Sequence, residues 1–173
     1  MERPDRSAAG ETGGVPGRQT GPEHLGRRAE PGRVTSQCDG AAGSSEKRIL
    51  LKFVLDGLPP GSCVRDAHLR LWSKTQRSAE IGFVLHGLDP DGWDHGTANW
   101  ETQPRTGPVL ATAQGAPAGA WVNFDLTGTV RANAGYAFAL HSTGSAGGYF
   151  ASREDTTLEH PAELVVEHTR CPR

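Results

Sequence analysis

Missing from this 173-residue chain are a GxSxG elbow, an HExxH pair and a glycine-rich phosphate loop. Their absence removes the sequence signatures of the common serine hydrolases, zinc proteases and nucleotide enzymes. The N-terminal region holds no apolar run of seven residues, so the sequence as it stands carries no signal peptide and no membrane-spanning helix. Cysteine is scarce: Cys38, Cys63 and Cys171 lack CxxC spacing, which argues against zinc and allows one disulfide at most, with one thiol left over. Charge of one sign is also lacking. Eighteen Lys and Arg against twenty Asp and Glu leave a net charge of −2, and phosphate backbones need a concentrated basic surface, so neither nucleic acid nor a membrane is an expected partner.

Residues 1–45 hold Gly, Pro, Arg, Glu and Ser with isolated Val15, Leu25 and Val34. Such a segment buries too little apolar surface to offset its ordering entropy, and it reads as disordered. Its arginines alternate with acids, as in Glu2, Arg3, Asp5 and Arg6, unlike the like-charge block of a nucleic-acid arm. Residues 46–168 then form one domain, and residues 169–173 a short tail.

What the domain does contain is period-2 alternation. Residues 47–56 put Ile49, Leu51, Phe53 and Leu55 on one face and Arg48, Lys52 and Asp56 on the other, the pattern of a half-buried strand. Residues 66–74 turn Ala67, Leu69 and Leu71 inward and His68, Arg70, Trp72 and Lys74 outward, and residues 80–86 alternate through Ile81, Phe83 and Leu85. After a long loop at 87–107, residues 109–113 suit an edge strand, and 120–126 turn Val122, Phe124 and Leu126 inward. Thr127 is placed to cap one helical turn through Ala132. Strands at 136–142, 147–152 and 162–168 complete the set. About eight strands, with Gly-rich turns and no βαβ alternation, predict an all-β fold, an antiparallel β-sandwich of jelly-roll type. Cys63 and Cys171 flank predicted strands and are the favoured disulfide pair, provided their Cα atoms lie within ~7 Å.

Residues 46–168 resemble the DNRLRE-type (disaggregatase-related) modules. The likeness runs through Lys47-Arg48, Leu51-Lys52-Phe53, Gly57-Leu58-Pro59 and Ala67-His68-Leu69-Arg70-Leu71. It continues in Gly92-Trp93, Thr97, Trp100, Gln103-Pro104, Trp121, Phe124-Asp125-Leu126-Thr127 and Phe138-Ala139-Leu140. It ends in Phe150, Ser152-Arg153-Glu154, Pro161 and Leu164-Val165-Val166. The resemblance implies a non-catalytic, extracellular or cell-surface bacterial module that binds acidic polysaccharides such as alginate or pectin, with the catalytic domains of multidomain relatives as partners. The chain departs from the pattern in showing no opening strand within residues 1–45, in His95 where an acid is usual, in Glu101-Thr102 where Asn-Asn is usual, and in its cysteines.

Six residues are candidates for the ligand. Trp72 beside His68, Arg70 and Lys74 suits stacking on a sugar ring with cations pairing to its carboxylates. Against this stands a structural reading in which Trp72 packs under a loop and Arg70 pairs with a nearby acid. Trp93 and Trp100 lie in the long loop, where binding residues concentrate. Equally, they suit pinning that loop over one end of the core. Asp89, Asp91 and Asp94 around Gly92 offer hard oxygen ligands for a structural calcium, although a plain Asp-rich turn accounts for the same residues. Arg153 suits an ion pair with an acid such as Asp125. His86, His95, His141, His160 and His168, with Asp91, Asp94, Glu101 and Glu154, fall in no motif of catalytic geometry. A glycan-binding module is therefore expected, and a structural spacer or protein-binding adhesion domain is the alternative.

Overall fold

A computed structural model of the protein describes residues 27–28, 34–39, 47–74, 81–94, 96–143, 147–151 and 160–172, the first two stretches as backbone. The strands are β1 (Arg27–Arg28), β2 (Val34–Asp39), β3 (Lys47–Leu55), β4 (Ser62–Ser73), β5 (Gly82–Leu88), β6 (Val109–Gln114), β7 (Ala120–Asp125), β8 (Ala134–Ser142) and β9 (Glu163–Arg170). One antiparallel sheet runs β1-β9-β4-β7 and the other β2-β3-β8-β5-β6. No helix occurs among the described residues, and the architecture is the expected β-sandwich.

Alternation decides which residues meet between the sheets. Leu51, Phe53 and Leu55 of β3, Ala67, Leu69 and Leu71 of β4 and Phe83 and Leu85 of β5 are buried in one core. Val122 and Phe124 of β7, Phe138 and Leu140 of β8 and Leu164 and Val166 of β9 join them. Each Leu, Val or Phe among them contributes about 1.5–3 kcal/mol by leaving water. Phe53 and Phe138 meet with ring centroids 6.2 Å apart. The residues between them in sequence face outward on both sheets.

The structure differs from the sequence reading in three places. Val34–Asp39 lies in the stretch read as disordered, yet it pairs antiparallel with β3, and Arg27–Arg28 pairs with β9. Apolar content missed this because an edge strand gains its ladder hydrogen bonds from a neighbour that is already folded. A strand thus precedes β3 where the sequence reading expects none. Residues 127–132 form a turn rather than a helix, with Leu126 O accepting from the amides of Thr129 and Val130 at 2.9 and 3.1 Å. Thr127 Oγ1 instead accepts from the Ala67 amide at 3.2 Å, which ties the end of β7 to β4. Finally, Phe150 makes an isolated bridge to Ser73 rather than a full strand. Lys74 N donates to Tyr149 O and Ala151 N to Trp72 O, so this segment extends the lane of β9 beside the last residues of β4. Residues 152–159, with Arg153 and Glu154, lie outside the described residues, as do His95 and most of residues 1–45.

Two further ties close the ends. The Tyr136 hydroxyl donates to Ala132 O at 2.8 Å and accepts from the amides of Arg131 and Ala132, holding the entry to β8. Cys63 and Cys171, separated by 108 positions in sequence, form a disulfide with Cα atoms 5.0 Å apart. It joins the start of β4 to the end of β9. Closing so long a loop restricts the unfolded chain, and removing a native disulfide costs roughly 2–5 kcal/mol. A reductant should therefore lower the unfolding free energy of the wild type, read from urea denaturation, by that order, with a matching fall in the midpoint. The Cys63→Ser/Cys171→Ser variant should start lower and ignore the reductant, and equal midpoints for the oxidised wild type and the variant would contradict this.

Candidate functional site

The outward side chains of β4 have register partners on both sides. Trp72 faces Trp121 of β7, Arg70 faces Asn123 of β7 and Glu163 of β9, and His68 faces Asp125 and Val165. The outer face of the four-stranded sheet is thus ordered in rows across three strands. In the first row Trp72 and Trp121 meet edge to face at 5.3 Å. His160 lies 4.1 Å from the Trp72 ring and 5.6 Å from Trp121. All three rings are half-buried, so each keeps part of its surface toward solvent. Such a platform can meet the C–H face of a sugar ring.

In the second row the Arg70 guanidinium lies over the Trp121 ring, 4.5 Å from its centroid. Its Nε donates to Glu163 Oε2. Glu163 is only 5% exposed, whereas the Arg70 side chain keeps 29% of its surface in contact with solvent. The stacking fixes the plane of the guanidinium, whose five N–H donors form a rigid fork. Lys74 is exposed just past the end of β4.

The third row is acidic. His68 Nδ1 lies 3.0 Å from Asp66 Oδ2, and the Thr127 hydroxyl lies 3.2 Å from Asp66 Oδ1. Asp66 also faces Glu167 in the ladder. The Asp125 carboxylate is held below its ordinary pKa chiefly by the Thr127 amide, which donates to Oδ1 at 2.8 Å; the Thr127 hydroxyl and the nearby His68 add to the effect. The face is therefore polarised. Rings and cations sit toward the end of β4, and acids gather toward its start.

His68, Arg70 and Trp72 are brought together as the sequence predicted, with Lys74 at the margin. Trp121, Asn123, Glu163 and His160 were not foreseen there. The alternation that turned Val122 and Phe124 inward already turned Trp121 and Asn123 outward, but only the strand order places them beside Trp72 and Arg70.

Trp93 and Trp100 lie on the other sheet. The long loop folds over its outer face, and Trp93, 8% exposed, is buried with Leu50, Ala137 and Ala139 while Trp100 packs alongside. Lys52 Nζ lies 5.8 Å from the Trp93 ring centroid, and the Arg48 guanidinium 5.1 Å from that of Trp100. Arg48 also donates to Gln103 Oε1 at 3.2 Å. Trp93 Nε1 is buried without a hydrogen-bond partner among the described residues. These two tryptophans are thus anchors of the loop and do not share the Trp72 face.

The three aspartates of the loop do not converge. Asp89 Oδ1 accepts from the Asp91 amide at 3.0 Å and Asp94 Oδ1 from the Gly96 amide at 2.8 Å, each closing its own turn. Among the described residues no three His, Cys, Asp or Glu side chains are grouped to hold a metal ion.

Two measurements test this geometry. Arg70→Met keeps an aliphatic stem over Trp121 but takes the guanidinium from Glu163, and it should cost roughly 2 kcal/mol, less than the ~3–5 of a fully buried pair because Arg70 keeps part of its water. Adding Glu163→Gln should recover part of that loss in urea denaturation, whereas strictly additive effects would refute the coupling. An NMR titration should place the Asp125 midpoint below the ordinary 3.8. A depressed carboxylate pKa stabilises the fold above the unfolded value, and that contribution disappears as pH falls through the folded midpoint. Thr127→Val should move the midpoint only part of the way back, because the amide donor remains.

The face combines half-exposed rings with a fixed guanidinium, and comparison with known proteins bears on what such a surface serves. A search of curated protein sequences finds no match to the chain. The sequence profile of carbohydrate-binding module family 96 matches residues 32–168, a span that takes in β2 through most of β9. With most of its length covered by that profile, and the sandwich built by the same residues, the chain belongs to carbohydrate-binding module family 96.

Proposed function

We propose that the protein binds an acidic polysaccharide, of alginate or pectin type, on the outer face of the four-stranded sheet, and that it does so without catalysing a reaction. The observation that carries this reading is the half-exposed cluster of Trp72, Trp121 and His160 beside Arg70. Stacking against the rings supplies the sugar contact, and Arg70 and Lys74 supply charge for uronate carboxylates. The acids Asp66, Asp125 and Glu167 confine a negatively charged chain to the tryptophan end, because the rest of the face repels it. An extracellular or cell-surface setting is supported by the Cys63–Cys171 disulfide, since such bonds persist in oxidising compartments. The resemblance to DNRLRE-type modules supports the same setting.

One observation favours a second reading, a spacer or protein-binding adhesion domain. Arg70 already faces Glu163, and the rings already cover one another, so the face is stable without a ligand. Affinity electrophoresis on alginate and pectin separates the two. The wild type should be retarded, and less so at high salt, because the Debye length shrinks from about 10 Å at 0.1 M to about 3 Å at 1 M. Trp72→Ala with Trp121→Ala should weaken retention at least about tenfold, equivalent to ~1.4 kcal/mol, with the β-sheet circular dichroism unchanged. A wild type that runs freely through every acidic glycan would favour the spacer.

A further inference from the structure

A cavity of about 340 Å³ opens at the end of the sandwich away from Trp72 and Trp121. It lies where the end of β5, the approach to β6, the turn after β7 and the start of β8 converge. Its apolar wall is formed by Leu88, Leu110 and Tyr136, and its polar rim by Asp89, Arg105 and Thr129. Trp121 is the second residue of β7 and Thr129 follows the strand's end. The four residue steps from Trp121 to Asp125 alone span about 13 Å of extended strand, so the cavity and the tryptophan platform cannot share one sugar ring.

The shape of this cavity is fixed by close backbone contact. Gly107 N donates to Gly87 O at 2.8 Å, and Gly87 N donates to Pro108 O at 3.1 Å. A Cβ on Gly107 would stand 2.8 Å from Gly87 O, so glycine is required for the loop to lie this tightly against β5. His86 Nδ1 is also 3.0 Å from Gly107 O. Arg105 therefore projects from a segment anchored two residues further on. Among the described residues it makes no hydrogen bond or ion pair, and it is exposed. By contrast, the Tyr136 hydroxyl is consumed by Ala132 O and the amides of Arg131 and Ala132, so this ring offers its apolar surface.

We infer that this cavity is a second carbohydrate site, separate from the Trp72 face, that takes a terminal uronic acid residue of an acidic oligosaccharide. Its volume falls within the ~300–1,000 Å³ of small-ligand sites. The apolar wall meets one face of the sugar, Arg105 pairs with its carboxylate, and Asp89 and Thr129 at the rim accept or donate to its hydroxyls. The inference rests on the chain's membership of a carbohydrate-binding family. Its ligand charge is argued from Arg105 alone, independently of the platform.

The test uses the whole chain, tri-galacturonic acid as probe and cellotriose as the neutral control, followed by amide chemical shifts. The acidic probe should shift the amides of Gly87, Leu110 and Gly135, and Trp72→Ala/Trp121→Ala should leave those shifts in place. Arg105→Glu, an exposed substitution checked for an unchanged melting temperature, should weaken that set at least about tenfold. Silent cavity amides at saturating probe, or shifts unaltered by Arg105→Glu, would overturn the inference. Equal shifts with cellotriose would overturn the assignment of a carboxylate. Cavity amides that stay silent while the Trp121 region responds would remove only this site, and the reverse outcome would uphold it while removing the platform.

Discussion

Strand β4 is hydrogen-bonded along both edges, to β9 and to β7, and every feature of the proposed platform depends on those two ladders. Its inward residues Ala67, Leu69 and Leu71 are at most 1% exposed. Because a slip of one residue would exchange the two faces of the strand, burial of these three fixes the register. That same register sets Trp72 against Trp121 and Arg70 against Glu163. The hydrophobic core and the polar face are thus one constraint seen from opposite sides of the sheet. The disulfide and the contacts of Thr127 with Asp66 and Ala67 hold the start of β4 where a shift between Val64 and Asp66 interrupts its pairing with β9.

The two outer faces of the sandwich are put to different uses. On the five-stranded sheet, small residues at Ala137 and Ala139 leave room for the long loop, and Trp93 fills it over Leu50. This face is covered by its own chain. On the four-stranded sheet His160, from the segment before β9, lies against Trp72, and side chains of β7, β4 and β9 still keep partial exposure in rows. A pair of tryptophans is therefore a loop anchor on one sheet and a half-exposed surface on the other. Aromatic content alone does not distinguish these roles, since each indole is a large apolar body with one polar atom.

Much of the fold was legible because period-2 alternation is a local signal. Leu51, Phe53, Leu69, Leu71, Phe83, Phe124 and Phe138 are buried as their spacing predicts. Leu50 is the instructive exception. Alternation turns it away from the core, and so it is turned, yet it is 1% exposed because Trp93 lies on it. Strand β2 escaped notice for a related reason, its pairing being supplied by β3 rather than by apolar residues of its own. Thr127 has the local setting of a helix cap, but its hydroxyl finds partners some sixty residues away. Each miss involves a contact outside the stretch concerned, with the neighbouring strand for β2 and with segments tens of residues away for Leu50 and Thr127.

The sequence by itself determined that the chain is all-β, which residues line the core, and that His68, Arg70 and Trp72 share one outward face. All three follow from the backbone alternating its side chains between two sides. Tertiary structure alone decided that Trp121 and His160 complete the aromatic cluster, that Glu163 meets Arg70, and that Trp93 and Trp100 belong to another surface. Those neighbours are set by which strands pair, and pairing is chosen by burial of both sheets at once, a property that no single stretch of sequence carries.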